Sequence, residues 1–466
     1  MQKLISKYGL AAHLALVAVA PLFLFPFCGS EWTARVLLWL AGIGAVWTLM
    51  EPSRRSGEML HDARERVGSA VIRDPLFWVL VLLIVLAGVR ALNGGIAMRY
   101  DPETTEWFIS EPTCPAFPGC VSGAGFLGFA VVTALTVVIQ GCRHALGKSA
   151  RISFLFSLSL FSGIAAVTAA SASAFGHAGA RVLVTCAITE GTFVGSAFGA
   201  LFLCAIVALA GGLECGWNRY FLLFAFAIGA NAAGLYFFAP TPVILLYAGA
   251  GVLALLVSCV YVTLTLGSVS ALKCVAALII ALALTVLCAM GLAPEGLNES
   301  RLAFLEEDGV LFPPVFEQVR GLLSGIAAKV WNGHPWLGTG LGSFGLDIRF
   351  NLAEADWKIV SGAQTCALNG WWQLLVERGI VGALSFALVL GCVMFTFFRR
   401  LVVGIRKPFF HPGCWLGPIV FLAVAVEAFI DSSFLRPEMI LAVGSVLTTA
   451  ASTLPVVKSA DESAVK

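Results

Sequence analysis

The chain has 466 residues, of which 59% are apolar and 12% charged, and its mean hydropathy is +0.92. A soluble domain carries about 25% charged residues, so a soluble enzyme or a disordered protein of this size is excluded. The 29 basic and 27 acidic residues leave a net charge of +2, too little basic excess for a nucleic-acid binder. The composition predicts an all-α polytopic membrane protein.

Twelve apolar stretches follow one another at 9–28, 32–50, 76–93, 124–141, 152–172, 191–212, 218–239, 242–266, 270–292, 371–398, 415–433 and 438–455. About 20 helical residues cross a bilayer core, so each is read as a transmembrane helix. The first follows Lys3 and Lys7 like a signal peptide, but it has no clean small-x-small cleavage site and a second stretch comes at once. It is therefore taken as the first span. With the N-terminus in the cytoplasm, eighteen of the basic residues fall inside, among them Arg54, Arg55, Arg64, Arg66, Arg73, Arg399, Arg400, Arg406 and Lys407. That distribution satisfies the positive-inside rule and puts both termini in the cytoplasm. The chain then divides into nine spans (1–292), a long outer loop (293–370), three spans (371–455) and a cytoplasmic tail (456–466).

Two outer segments are long. The first, 94–123, is acidic and holds Cys114 and Cys120. Their spacing allows a small disulfide ring on an oxidising side, or two thiols in a loop. The other cysteines lie mostly in apolar runs, and no CxxC or HExxH occurs, so neither a metal nor another cofactor is expected. The second segment contains VFEQVRGLLSGIAAKVW, with Val315, Val319, Leu322, Leu323, Ile326 and Val330 at helical spacing. This predicts an amphipathic helix lying on the outer membrane surface.

A connection of nearly 80 residues is far beyond ordinary loop lengths and is usually functional. Within it, GHPWLGTGLGSF places Gly338, Gly340 and Gly342 in alternation. Such a run is either an anion-binding nest of backbone amides or a flexible turn. Gly379 and Gly382 follow Glu377 and Arg378 at the mouth of the tenth span, where they favour close helix packing. Inside the eleventh span Glu427 and Asp431 share one helix face. Ionisable groups in a span are costly and read as functional by default.

These elements, in this order, resemble the O-antigen ligase and polymerase superfamily of bacterial inner-membrane glycan transferases. The resemblance runs from Gly191-Thr192-Phe193-Val194 to Pro437. It rests on Arg320 followed by His334-Pro335-Trp-Leu-Gly338-Thr-Gly340-Leu-Gly342-Ser-Phe344, on Leu368-Asn369 before Gly379-Ile-Val-Gly382, and on Glu427, Asp431 and Leu435-Arg436-Pro437. Two family features differ. The histidine expected before Asn369, the family's proposed base, is Leu368, and the arginine-bearing element expected after the seventh span is Ala239-Pro240-Thr241-Pro242.

The resemblance implies transfer of a glycan from an undecaprenyl-diphosphate carrier to an acceptor hydroxyl, as ligation or polymerisation, outside the bacterial cytoplasmic membrane and without a nucleotide. It implies Arg320 and Arg436 and, less directly, Arg378 and Arg181 as diphosphate ligands, with the Gly338, Gly340 and Gly342 amides. With leucine at 368, the base falls to Asp431, Glu427, Glu377 or His334. The partners are membrane lipid, the lipid-linked donor and a glycan or lipid acceptor, with no nucleic acid; oligomeric state is open. The alternatives are a non-catalytic relative that binds lipid-linked glycan, and a multi-pass transporter.

Overall fold

The computed structural model describes the chain except for residues 1, 25–26, 55–56, 115–118, 122, 177–193, 294–296, 298–313, 354–355, 357–359, 361–365, 405–411, 431, 433–434 and 454–466. It is a helical polytopic membrane protein. Among the described residues nine helices are long and apolar enough to cross a bilayer, and three shorter apolar helices cover Tyr8–Leu24, Trp415–Ile430 and Pro437–Thr449. In chain order the first half comprises α1 (Gln2–Leu24), α2 (Ser30–Met50), α3 (Leu60–Ile72), α4 (Pro75–Leu92), α5 (Ala124–Gln140) and α6 (Lys148–Ala174). The second half comprises α7 (Val194–Glu214), α8 (Phe221–Phe238), α9 (Thr241–Leu266), α10 (Ser268–Leu292), α11 (Pro314–Gly333), α12 (Phe344–Asn351), α13 (Gly370–Gly404), α14 (Pro412–Ile430) and α15 (Pro437–Thr453).

Helix α7 is the axis of the bundle. It is buried almost throughout and packs against α6, α8, α9, α14 and α15. Its sequence explains why it can be surrounded: Gly195, Ala197, Gly199, Ala200, Ala205 and Ala208 offer little side-chain bulk, and in lipid close backbone approach drives helix association. A Cβ on Gly195 would lie 2.3 Å from the Ala239 backbone nitrogen, and one on Gly199 would lie 2.5 Å from the Tyr247 ring. Deeper in the bundle Ser162 Oγ donates to Asn231 Oδ1 at 2.7 Å, and Asn231 Nδ2 donates to the Ser159 and Ala227 carbonyls. This satisfies a buried amide that would otherwise be costly. Helix α1 belongs to the same core, with Leu10, Leu14, Val17 and Leu22 buried.

At one end of the bundle the chain forms structure that the sequence reading treated as loop. Helix α3 is tied there by Arg66, which pairs with Glu58 at 2.7 Å and donates to the Ser53 carbonyl. Asp74 caps α4 by accepting the Leu76 N–H. Arg143 and His144, in a π turn over Gly141–Ala145, lie 3.0 and 3.1 Å from the Asp74 carboxylate.

The other end, which we call the loop end, carries the described residues of 94–123 and 314–370. Within 94–123 strands β1 (Met98–Asp101) and β2 (Glu106–Ile109) pair antiparallel, Met98 opposite Ile109 and Asp101 opposite Glu106. Helices α11 and α12 and the start of α13 enclose a second apolar cluster of Leu323, Ile326, Ala327, Phe344, Ile348, Leu368 and Val376. This corrects the expected placement of the amphipathic helix. The apolar face of α11 is covered by protein, while Glu317, Gly321, Gly325 and Lys329 face outward. The helix is amphipathic because it roofs a small core, not because it floats on lipid.

Candidate functional site

The glycine loop is a brace. Gly338, Gly340 and Gly342 all have positive φ (71°, 116° and 75°), a region that favours glycine. The loop lies edge-on against the first turns of α13. Thr339 N–H donates to the Val376 carbonyl at 2.8 Å and Gly340 N–H to the Glu377 carbonyl at 3.1 Å. In return Ile380 N–H donates to the Pro335 carbonyl and Val381 N–H to that of Trp336. Leu341 continues the brace to 94–123, donating to Gly119 and accepting from Val121. The expected nest of anion-binding amides is therefore not formed: those of Thr339, Gly340 and Leu341 are taken up by carbonyls, and the Gly342 amide faces the Glu377 carboxylate.

The glycines of α13 complete the fit. Gly379 breaks the helix (φ 63°, ψ −172°) and admits the Trp336 carbonyl to 2.3 Å of where its Cβ would be. Gly382 leaves room for the Arg378 side chain, whose Cβ is 2.3 Å from the place a Gly382 Cβ would take. The GxxG spacing thus lays Arg378 along its own helix.

Around this break sits a group of charges. Glu377 is buried, accepts from Gln373 Nε2 at 2.8 Å, and lies within electrostatic reach of Arg378 and Arg436. Arg436, just before α15, also faces Glu438 and donates to Cys366 Sγ at 3.8 Å. Glu438 is buried with one carboxylate oxygen lacking a hydrogen-bond partner. Arg90, in the last turn of α4, approaches the Leu337 carbonyl at 3.4 Å and lies within reach of Arg378, a like charge, and of Glu377. Sequence reading found Arg378, Arg436 and Glu377. It missed Arg90, whose signal was a cation at the end of the apolar run VLVLLIVLAGVRAL, and Glu438 beside Pro437. Among the described residues, Arg90 and Arg378 lie within reach of Glu377, and Arg436 lies within reach of Glu377 and Glu438, a set of forks whose geometry suits an anion.

The remaining candidates are dispersed. Glu427 is fully buried one turn from the end of α14; it accepts from the Ser196 hydroxyl and, at 2.8 Å, from the Tyr247 phenol. Arg320 donates to the Phe429 carbonyl, capping the end of α14. His334 is exposed at the start of the glycine loop, one residue from the Pro335 carbonyl that binds Ile380. Asn369 is the N-cap of α13: its Oδ1 accepts from the Trp371 and Trp372 amides. Leu368, at φ 49°, is 3% exposed within the second apolar cluster. Asp431 and Arg181 lie outside the described residues.

Cys114 and Cys120 are both free thiols, one exposed and one buried. The structure does not join them. Asn93 holds the Cys114 backbone at both its N–H and its carbonyl. Cys120 turns inward, with its sulfur 2.4 Å from where a Gly125 Cβ would be.

Asp347, in the first turn of α12, locks the loop to the second cluster through Thr339 Oγ1 at 3.3 Å. Burial pushes its carboxyl up from 3.8 to about 6, against the hydroxyls of Thr339 and Ser343, which pull it down. Between pH about 4 and about 6 the folded chain therefore keeps a proton that the unfolded chain releases. Stability falls as pH rises through that window, and the cost above it is on the order of 3 kcal/mol. Asp347→Asn is expected to unfold at a higher temperature than wild type at pH 7.5 and to lose that advantage at pH 4.5. An equal gain at both values contradicts the burial argument.

Neither a protein-family model nor a curated protein sequence matches the chain. Among the described residues no cluster of histidine, cysteine, aspartate and glutamate side chains could hold a metal ion.

Proposed function

We propose that the chain transfers a glycan from an undecaprenyl-diphosphate carrier to an acceptor hydroxyl on the outer side of the bacterial cytoplasmic membrane. In this reading the three shorter apolar helices also span, giving twelve spans with both termini inside, and the loop end faces outward. The observation that carries it is the charge group at the α13 break. Arg90 and Arg378 lie within electrostatic reach of one another, and Arg436 lies within reach of the Glu377 they share. Arg90 and Arg378 share Glu377 as a counter-ion, and a second anion offsets the repulsion that one carboxylate leaves between them. A diphosphate leaving group supplies that anion, and arginine forks match its oxygens in pairs.

The roles follow from placement. The arginines stabilise the charge that develops on the departing diphosphate as the glycosyl bond breaks. Glu377, bonded to Gln373 and surrounded by cations, is their counter-ion rather than a base. Glu427 has no solvent access and cannot reach an acceptor proton from where it lies. His334 is exposed beside the brace, and imidazole is the commonest general base; it takes that role here, with Asp431 as the other candidate. The apolar faces of α4 and α13, with Leu82, Val85, Val89, Leu384 and Leu388 exposed, offer a lipid-side surface for the polyprenyl chain next to the arginines.

A second reading has its own support. Leu368 stands where the family's histidine is expected and is sealed in apolar surroundings, which fits a relative that binds lipid-linked glycan without turning it over. Deletion, restored by wild type or His334→Ala, separates the two when carrier-linked and finished surface glycan are both quantified. Transfer predicts that deletion and His334→Ala both accumulate carrier-linked glycan. Normal surface glycan in the deletion strain rejects transfer. Purified wild-type protein that holds the lipid-linked glycan without consuming it favours the binder.

A further inference from the structure

Helices α8 and α10 meet tightly at mid-length. A Cβ on Gly229 would lie 2.7 Å from the Ala281 carbonyl oxygen, and Thr285 Oγ1 donates to the Gly229 carbonyl at 3.1 Å. Small residues and one hydroxyl thus bring the two backbones together. The close contact does not continue to the end of the bundle that carries α3. There a groove of about 430 Å³ opens between the starts of the two helices. Asn218 and Phe221 form one wall, and Val269, Leu272, Lys273 and Ala276 form the other. Phe221 packs on the bundle core. Val269 and Leu272 are exposed on the flank of a helix apolar enough to span, so in a bilayer the groove is open to lipid.

The polar end of the groove is held in place. Lys273 lies in the second turn of α10, and its Nζ donates to Asn218 Oδ1 at 3.0 Å. That bond ties the ammonium to the groove and uses one of its three donors. Arg219, the next residue after Asn218, rests over the Tyr220 ring at 4.8 Å. Among the described residues neither cation has a carboxylate within ion-pair distance. Lys273 is the one charged residue among the described residues that wall the groove. An apolar slot thus ends at a fixed positive charge whose only bonded partner on the wall is a neutral amide.

We propose that this groove seats one anionic phospholipid of the phosphatidylglycerol type. An acyl chain lies along Phe221, Leu272 and Ala276 and fills the gap where the helices part. The lipid phosphate accepts from Lys273 Nζ in a charge-assisted hydrogen bond. Head-group charge decides among lipids. Phosphatidylglycerol brings one net negative charge to a wall with one positive charge. Phosphatidylethanolamine and phosphatidylcholine bring an ammonium of their own, which sits beside Lys273 with no carboxylate on the groove wall to receive it. Basic residues near the cytoplasmic leaflet attract anionic lipid in general; the groove adds a place for one molecule. A free phosphate ion gains the Lys273 contact alone and leaves the apolar wall empty. Seated there, the lipid bridges α8 and α10 where their own contact ends.

The test uses the full-length protein, purified and exposed to equal amounts of phosphatidylglycerol, phosphatidylethanolamine and phosphatidylcholine, with retained lipid counted by native mass spectrometry. Wild type is expected to keep phosphatidylglycerol roughly tenfold over either competitor. Lys273→Gln keeps the length of the side chain without its charge and is expected to retain one phosphatidylglycerol fewer. Ala276→Phe fills the groove without altering any charge and is expected to lose the same molecule. Equal retention of the three lipids by wild type overturns the proposal. So does undiminished phosphatidylglycerol on either groove variant. Loss on Arg378→Ala with full retention on Lys273→Gln places the lipid at the arginine group instead and also overturns it. If Lys273→Gln does not purify folded, Ala276→Phe decides alone.

Discussion

Arg378→Ala is expected to lower glycan transfer by roughly 10²–10³-fold, the scale on which a preorganised charge contact to a transition state acts, while leaving the bundle folded. The side chain lies along α13 in the space that Gly382 leaves open, so its removal creates no backbone clash. Glu377 keeps Gln373, the Gly342 amide and Arg436, so the brace survives. Arg90→Ala is expected to fall in the same direction, since Arg90 approaches the same site from α4. Lysine at 378 is expected to recover only part of the rate, because an ammonium keeps the charge but loses the paired donors. The measurement is conversion of lipid-diphosphate glycan by purified variants, alongside their unfolding temperatures. Wild-type rates in both alanine variants remove the arginines from the mechanism; a rate loss that tracks a lost fold makes them structural.

Glu427→Ala carries the largest expected loss of stability. It strips the acceptor from two buried hydroxyls, Ser196 and Tyr247, and an orphaned buried donor costs about 1–3 kcal/mol. The total is on the order of 4 kcal/mol, a large share of a domain's stability. Glu427→Gln keeps an acceptor and is expected to lose far less. The triple change Glu427→Leu, Ser196→Ala, Tyr247→Phe replaces the polar cluster with apolar groups and is expected to recover most of the loss. Thermal unfolding of the four proteins tests this. A Glu427→Ala protein as stable as wild type, yet inactive in transfer, returns Glu427 to the list of bases.

What the sequence revealed and what it hid divide along physical lines. Spanning helices are legible because burial in lipid demands long apolar runs, and α4, α9 and α10 stand where their runs predict. Helix α3 was hidden because LHDARERVGSAVI is short and rich in charge, so it reads as a basic loop. The β1–β2 hairpin was hidden because MRYD and EWFI are four-residue strands with no clean alternation. The glycine loop was visible as a pattern, but its role was not. Whether an amide faces a ligand or a carbonyl depends on what packs against it, and here that is the backbone of 376–381. Likewise the sequence marked Leu368 as a departure, and only the fold shows why leucine suits the position: it is buried in one apolar cluster with Ala367, Val376 and Phe344.

The account stands most directly on whether the arginine group binds a lipid diphosphate. The decisive measurement is equilibrium binding of undecaprenyl diphosphate to the purified protein at low and at moderate salt, for wild type and for the Arg90→Ala, Arg378→Ala double variant. The account predicts saturable binding that weakens with salt and falls at least tenfold in the double variant, with undecaprenol bound no better by wild type than by the variant. Equal affinity of the two proteins for the diphosphate, or wild-type affinity for undecaprenol matching that for its diphosphate, contradicts it.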